Sequence, residues 1–138
     1  MAPLVLKDPV LNRYIARPVV EFNGECDWKL VKTYRLNGYT VPKGFRFDGA
    51  SIPRPLWRWN DPAGVSFPAA IVHDYHYTHQ TVSRKQADDA FFRNLVSIGV
   101  RPTAAWLMWV AVRVCGGRAW RKHRAEAEAK KNRLLYDD

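Results

Sequence analysis

The feature that most constrains this fold is a change of sequence pattern near residue 62. From Val19 to about Val41, apolar and polar residues alternate with a period of two, in VVEF, WKLVKTYRL and YTV. The pairs Asn23-Gly24 and Asn37-Gly38 separate these segments, and Asn-Gly between alternating segments is a strong hairpin signal. We therefore expect a small antiparallel sheet or meander in this part of the chain.

Four helices are predicted after this point, with approximate bounds 66–79, 83–99, 102–115 and 118–135. Ser66 is the expected N-cap of the first helix, with Pro68 in its first turn. Ser83 and Gln86 have the spacing of a capping box at the start of the second helix. The fourth helix is rich in Ala, Glu, Lys and Arg.

Strands that precede helices in one chain indicate an α+β fold, with a small N-terminal antiparallel sheet followed by three to four packed helices. The chain has 138 residues, of which 47% are hydrophobic, and this is enough for one domain with its own core. Within that single domain, 1–138, we distinguish a strand and loop part (1–62), a helical core (63–117) and a basic C-terminal helix (118–138).

The charge balance favours anionic partners. The chain carries 22 basic and 13 acidic residues, and a net charge of +9 suits nucleic acid, anionic lipid or acidic wall polymers. The longest apolar run, 103–112, is about half of the ~20 residues that a transmembrane helix needs. We therefore expect a buried or interfacial helix there and no transmembrane segment.

The N-terminus and the cysteines indicate in which cellular compartment the protein is expected. The segment MAPLVLKDPVLNRY lacks the unbroken apolar core of a signal peptide, so we expect no export. Cys26 and Cys115 lie far apart in no metal-binding or disulfide-rich pattern, which favours a reduced compartment, with a single disulfide as the alternative.

The segment IVHDYHYTHQ, residues 71–80, concentrates three histidines and an aspartate. On a helix His73 shares a face with Tyr77 and with His76, and His76 shares one with His79. A metal site would need ligands from a second element, because neighbours on a helix diverge by about 100°. His76 and His79 are predicted to be solvated, since a helix C-terminus favours positive charge.

A second group of polar residues lies in FDGASIPR, where glycine and proline indicate a rigid loop. With the helical residues it supplies the parts for general base catalysis or for a site that holds one divalent metal ion. The candidate catalytic residues are Asp48, His73, Asp74 and Asp88. The candidate substrate-binding residues are Ser51, Arg54, Tyr77 and Arg84. The candidate metal ligands are His73, Asp48 and Asp88.

A structural interpretation of the same residues stays open. Asp74 could pair with Arg54 or Arg84, and His73 could bond a buried carbonyl, because ion-pair networks perturb groups much as active sites do. Asp88 and Asp89, placed in the first turn of the second helix, would stabilise its dipole without any further role. Ser51 has the context of a turn residue. Trp57 and Trp59 have that of core aromatics, with stacking on bases or sugars as the alternative.

Four ordered blocks, RFDGASIPR, AAIVHDYHY, SRKQADDAFFRNL and WVAVRVCGGRAW, resemble a family of small phage and prophage proteins that is catalogued as a domain of unknown function. The resemblance runs from about Val41 to Trp120. It implies a bacteriophage or prophage origin and a site at the matching positions, which are Phe47, Asp48, Gly49, Ser51, Ile52, Pro53, Arg54, His73, Asp74, Tyr77, Arg84, Ala87, Asp88 and Phe91. The family places an apolar residue at His76, so the resemblance implies that His76 and His79 are particular to this chain.

Three functions remain as hypotheses. The first is a phage-encoded hydrolase for an anionic or cell-wall substrate, with His73 as base or metal ligand and Arg54 as the anion-binding residue. The second is a non-enzymatic virion or tail component that forms oligomers, in which the polar cluster stabilises the fold. The third is a nucleic-acid or host-factor binder that uses the basic C-terminal helix. The expected location is the host cytoplasm or the virion.

Overall fold

The computed structural model describes residues 5–7, 14–16, 18–22, 24, 28–47 and 66–136. The strands are β1 (Val5–Lys7), β2 (Tyr14–Ala16), β3 (Val20–Phe22), β4 (Trp28–Leu30), β5 (Tyr34–Leu36), β6 (Tyr39–Val41) and β7 (Arg46–Phe47). The helices are α1 (Phe67–His79), α2 (Arg84–Ser97), α3 (Pro102–Cys115) and α4 (Gly117–Tyr136). The predicted α+β class and the order of strands before helices are confirmed.

The strands pair antiparallel, in the orders β1-β2, β3-β4-β7 and β5-β6. Asn37-Gly38 forms the predicted tight turn between β5 and β6, and both residues have the positive φ, 48° and 83°, that a type I′ turn requires. The predicted hairpin at Asn23-Gly24 also forms, as β3 with β4. The connection between β3 and β4 is longer than the two residues of the β5-β6 turn, because Phe22 pairs with Trp28.

Helix α1 lies at the centre of the fold. It packs against α2 and α4 and also against strands β5, β6 and β7. Because neighbours cover it on several sides, its buried residues run from Phe67 to Tyr77 and include His73 and Asp74. A helix buried around most of its circumference presents polar residues to the interior as well as apolar ones. This places His73 inside the protein.

The helix termini agree in part with the predicted caps. Ser83 and Gln86 form a complete capping box, in which Ser83 Oγ accepts from the Gln86 amide at 3.1 Å. The predicted cap by Ser66 is wrong: Ser66 precedes α1, but its backbone is helical and its side chain makes no cap hydrogen bond. A helical Ser66 does not aim its hydroxyl at the first-turn amides, because a working N-cap residue has extended backbone angles.

The C-terminal half of the chain is helical and more exposed. Helix α3 contributes Ala105, Met108 and Val112 to the core, whereas α4 buries only Ala119 along its 20 residues. Among the described residues, no helix combines the length and the apolar character needed to cross a membrane.

Candidate functional site

Asp88 of α2 is the centre of a buried polar cluster. Its Oδ1 accepts hydrogen bonds from His73 Nε2 at 2.8 Å and from the Tyr77 hydroxyl at 2.7 Å, and its Oδ2 accepts from Arg113 Nη1 at 2.9 Å. The side chains of Asp88 and His73 are both 0% exposed. One carboxylate thereby joins α1, α2 and α3, and we call His73, Tyr77, Arg84, Asp88 and Arg113 the Asp88 cluster.

The sequence explains two of these contacts. His73 and Tyr77 are four residues apart on α1, so they share the face that packs on α2, as predicted. Asp88 does not lie in the first turn of its helix, and that prediction is wrong. Because α2 begins at Arg84, Asp88 lies more than one turn into the helix, where its carboxylate points to other side chains instead of the helix N-terminus.

Arg84 links the start of α2 to the end of α3. Its Nη2 donates to the carbonyl oxygens of Val112, at 3.3 Å, and of Arg113. Its Nε lies 3.9 Å from Asp88 Oδ2. A guanidinium at the last carbonyls of a helix satisfies acceptors that have no partner within the helix and is favoured by the helix dipole. The predicted substrate-binding guanidinium is therefore already engaged within the protein.

Burial and hydrogen bonding set the charges of the cluster. Burial lowers the pKa of His73, and the hydrogen bond to Asp88 offsets this only in part. Burial would raise the pKa of Asp88, but hydrogen bonds from His73, Tyr77 and Arg113 outweigh it and hold that pKa below its usual range. The cluster therefore contains an ionised carboxylate and a neutral imidazole. Since an ionised carboxylate only accepts, Nε2 of His73 carries the proton and Nδ1 is the unprotonated nitrogen.

A divalent ion fits Asp88 poorly in this arrangement. Both carboxylate oxygens already accept hydrogen bonds, and an ion at Oδ2 would have to displace the Arg113 guanidinium. Within the described ranges, no group of three or more His, Cys, Asp or Glu residues could hold a metal ion. The predicted set of His73, Asp48 and Asp88 includes one ligand, Asp48, that lies outside those ranges, so the complete set stays a prediction.

The remaining candidates divide into buried residues and residues outside the described ranges. Asp74 is 6% exposed and lies next to His73 on α1. Asp48, Ser51, Arg54, Trp57 and Trp59 lie outside the described residues. The structure therefore brings together His73, Tyr77, Arg84 and Asp88 of the predicted site.

His76 differs from the prediction of a solvated residue. It is 4% exposed, its ring packs edge-on against Tyr39 at 4.8 Å, and its Nδ1 has no hydrogen-bond partner within the described part of the chain. Burial lowers its pKa to about 4, with a smaller contribution from His73. His79, by contrast, is exposed as predicted. His76 is buried because the β5-β6 hairpin packs on the side of α1 that carries it.

Sequence reasoning missed Arg113, which closes the cluster from α3. One signal could have revealed it: Arg113 is the only charged residue in the run from Pro102 to Cys115. A lone guanidinium in an otherwise apolar helix needs a partner when it is partly buried, and Asp88 provides one.

Residues 26–112 match the family described as Protein of unknown function (DUF1353), and this stretch is more than half of the chain. The chain belongs to DUF1353. No curated protein and no solved structure matches the chain. The resemblance to a family catalogued as a domain of unknown function is therefore confirmed.

The DUF1353 match includes most of the Asp88 cluster. It contains β4 to β7, α1, α2 and most of α3, and so it includes His73, Tyr77, Arg84 and Asp88. It ends one residue before Arg113, and α4 lies beyond it. The sequence blocks predicted a family region from about Val41 to Trp120. The match instead begins at residue 26, within the strand part, and ends at residue 112.

Proposed function

We propose that this DUF1353 protein is a non-enzymatic assembly component, of the kind found in a bacteriophage virion or tail. The observation that carries the proposal is the saturation of Asp88. Its carboxylate is buried and accepts three hydrogen bonds from two other helices. A carboxylate so engaged has no accessible oxygen for a substrate, whereas a buried carboxylate with hydrogen bonds to both oxygens stabilises the packing of the helices that it joins.

Helix α4 supplies a contact surface for such a component. Leu134, Leu135 and Tyr136 follow one another near its C-terminal end and are 66%, 67% and 86% exposed. Large exposed apolar side chains that cluster at one end of an otherwise charged helix offer apolar area that a protein contact can bury. In this proposal the terminal helices join neighbouring subunits, while the Asp88 cluster holds each subunit together.

The experiment is sedimentation velocity over a range of protein concentrations, for the wild type and for Leu135→Ser/Tyr136→Ser. We expect the wild type to self-associate and the variant to sediment as a monomer with an unchanged melting temperature, because both side chains are exposed. His73→Ala should melt lower but assemble normally below its melting temperature. A wild type that stays monomeric at every concentration would contradict the proposal.

A second candidate is the hydrolase, and one observation favours it. The hydrogen bond to Asp88 fixes a neutral His73 whose Nδ1 is unprotonated, which is the form that a general base requires. Strand β7 ends one residue before Asp48, and Phe47 packs against Phe67 at the start of α1, at 6.0 Å between ring centroids. In this proposal Asp48 joins His73, and Arg54 binds an anionic or cell-wall substrate, with or without a divalent ion.

Turnover distinguishes the two candidates. Purified cell-wall fragments would be incubated with the wild type and with His73→Gln, alongside thermal melts and elemental mass spectrometry of both proteins. Product release that is lost in a folded His73→Gln variant would establish the hydrolase and reject the assembly component. About one divalent ion per chain in the wild type and none in His73→Gln would show that the site also holds a metal ion. No product release from the wild type would reject the hydrolase for this substrate class.

A further inference from the structure

The outward side of α3 is apolar although it faces solvent. Thr103, Trp106, Leu107, Val110 and Val114 recur at the spacing of one helical face. Trp106, Leu107 and Val114 are 54%, 53% and 76% exposed. We call these five residues the α3 face. The core residues of the same helix, Ala105, Met108 and Val112, are on its other side.

No charged residue interrupts the α3 face. The only charged residue of α3 is Arg113, and its guanidinium is bound to Asp88. A helix that is apolar on all sides is normally enclosed by protein or by lipid. Because Trp106, Leu107 and Val114 are more than half exposed, this helix needs a further apolar partner to bury them.

An open pocket continues the α3 face toward α2. It has a volume of about 350 Å³ and is lined by Asp89, Phe92, Arg93, Trp106 and Trp109. Trp109 Nε1 donates to Asp89 Oδ1 at 3.0 Å, and Lys85 Nζ binds Asp89 Oδ2 at 2.7 Å. These contacts hold the Trp109 ring in place and balance the carboxylate charge, so the pocket combines aromatic walls with the guanidinium of Arg93.

The segment of the chain that contains the α3 face is strongly basic. Residues 84–122 contain eight basic and two acidic residues, which is a net charge of +6. Of the two acidic residues, Asp88 is buried and Asp89 is paired with Lys85. Arg93, in the pocket lining, Arg101, just before α3, and Arg118, just after it, are all exposed. An apolar face with arginines beside it and at both ends complements a partner that is apolar and anionic.

We propose that the α3 face docks onto the surface of an anionic phospholipid bilayer. A helix of 14 residues is about 21 Å long and would lie in the plane of the interface. Leu107, Val110 and Val114 would enter the acyl boundary and Trp106 would lie at headgroup level, while the flanking arginines would contact phosphates. This contact is independent of the self-association proposed for α4.

Two other partners fit the α3 face less well. A nucleic acid would leave Leu107 and Val114 against a polar backbone, with no burial of their apolar area. A second copy of the chain would cover the apolar side chains, but it would present its own arginines and leave Arg93, Arg101 and Arg118 without an anionic partner.

The test is co-sedimentation with vesicles of phosphatidylcholine alone and of equal parts phosphatidylcholine and phosphatidylglycerol. Leu107→Ser/Val114→Ser removes apolar groups from the α3 face. Val31→Ser is the control, because Val31 is 44% exposed and lies outside both the α3 face and the contact surface proposed for α4. We expect the wild type to bind the anionic vesicles, and the first variant to bind at least about tenfold more weakly because the apolar area is lost. The second variant should bind like the wild type, and all three should melt alike.

Three results would overturn the proposal. One is a wild type that binds neither kind of vesicle. Another is equal binding of Leu107→Ser/Val114→Ser and Val31→Ser to anionic vesicles, which would mean that charge alone attracts the protein. The third is a wild type that fails to bind vesicles while Leu107→Ser/Val114→Ser converts an oligomer to a monomer, which would assign the α3 face to a second copy.

Discussion

Replacing Asp88 by asparagine tests the cluster most directly, because the shape is kept and the charge is removed. The amide oxygen can still accept from His73 and Tyr77, but the amide nitrogen would then face the Arg113 guanidinium, and the bond at 2.9 Å would be lost. Breaking a buried ion pair costs about 3–5 kcal/mol. We expect the lower end, about 3 kcal/mol, because the Arg113 side chain is 30% exposed.

The assay is urea unfolding, followed by tryptophan fluorescence and circular dichroism. With an m-value of about 2 kcal/mol/M, a loss of about 3 kcal/mol lowers the midpoint by about 1.5 M. Asp89→Asn is the matched control, since it makes the same change at the next residue of α2. Asp89 binds the exposed Lys85, and such pairs contribute less than about 1 kcal/mol. Equal effects of the two substitutions would refute the view that the Asp88 cluster holds the three helices together.

Three further predictions concern His76, Gly116 and Ser83. His76→Leu should raise the free energy of unfolding by about 1 kcal/mol at neutral pH, because it removes a buried nitrogen without a described partner. The pKa of His76 is lower in the folded state than in the unfolded state. The unfolded chain therefore binds more protons, and the His76 contribution lowers stability by up to about 3 kcal/mol as pH drops from 6.5 to 4. Urea titrations at several pH values should detect a smaller loss in His76→Leu than in the wild type, because the variant keeps the contribution of the buried His73. Gly116→Ala should cost about 1–3 kcal/mol in the same titration, because its methyl group would lie 2.5 Å from the Tyr77 hydroxyl, and an unchanged midpoint would contradict this. Ser83→Ala should cost about 1 kcal/mol by removing the capping box, with Ser66→Ala, at a helix start where the serine makes no cap hydrogen bond, as the comparison for serine loss.

The fold was predictable where local signals agree. The Asn37-Gly38 turn, the Ser83 capping box and the bounds of α3 depend on backbone preferences within a few residues, and the structure has all of them. The cap at Ser66 failed because the local pattern does not fix the backbone angles at that residue.

The site was predictable only in its residue types. The sequence marked His73, Tyr77 and Asp88, and the lone charge of Arg113 in α3 was a signal for a buried partner. It did not identify Asp88 as that partner, since the contact spans 25 positions of the chain. His76 was assigned to solvent because a helix end is usually exposed. Its burial depends on Tyr39 in the β5-β6 hairpin, a long-range contact that no local pattern encodes.

The β5-β6 hairpin also has a consequence for the order of folding. The side chain of Asn37, at the tip of its turn, donates to Asn94 Oδ1 at 2.9 Å and to Ser97 Oγ at 2.7 Å near the end of α2, across 57 and 60 positions of the chain. An isolated two-stranded hairpin is at best marginally stable in water. Contacts with α1 stabilise its strands, and the Asn37 bonds tie its turn to the last turn of α2. The amide protons of the turn should therefore exchange with solvent at about the rate of those in the last turn of α2, and these two turns should open and close together although they are far apart in the chain.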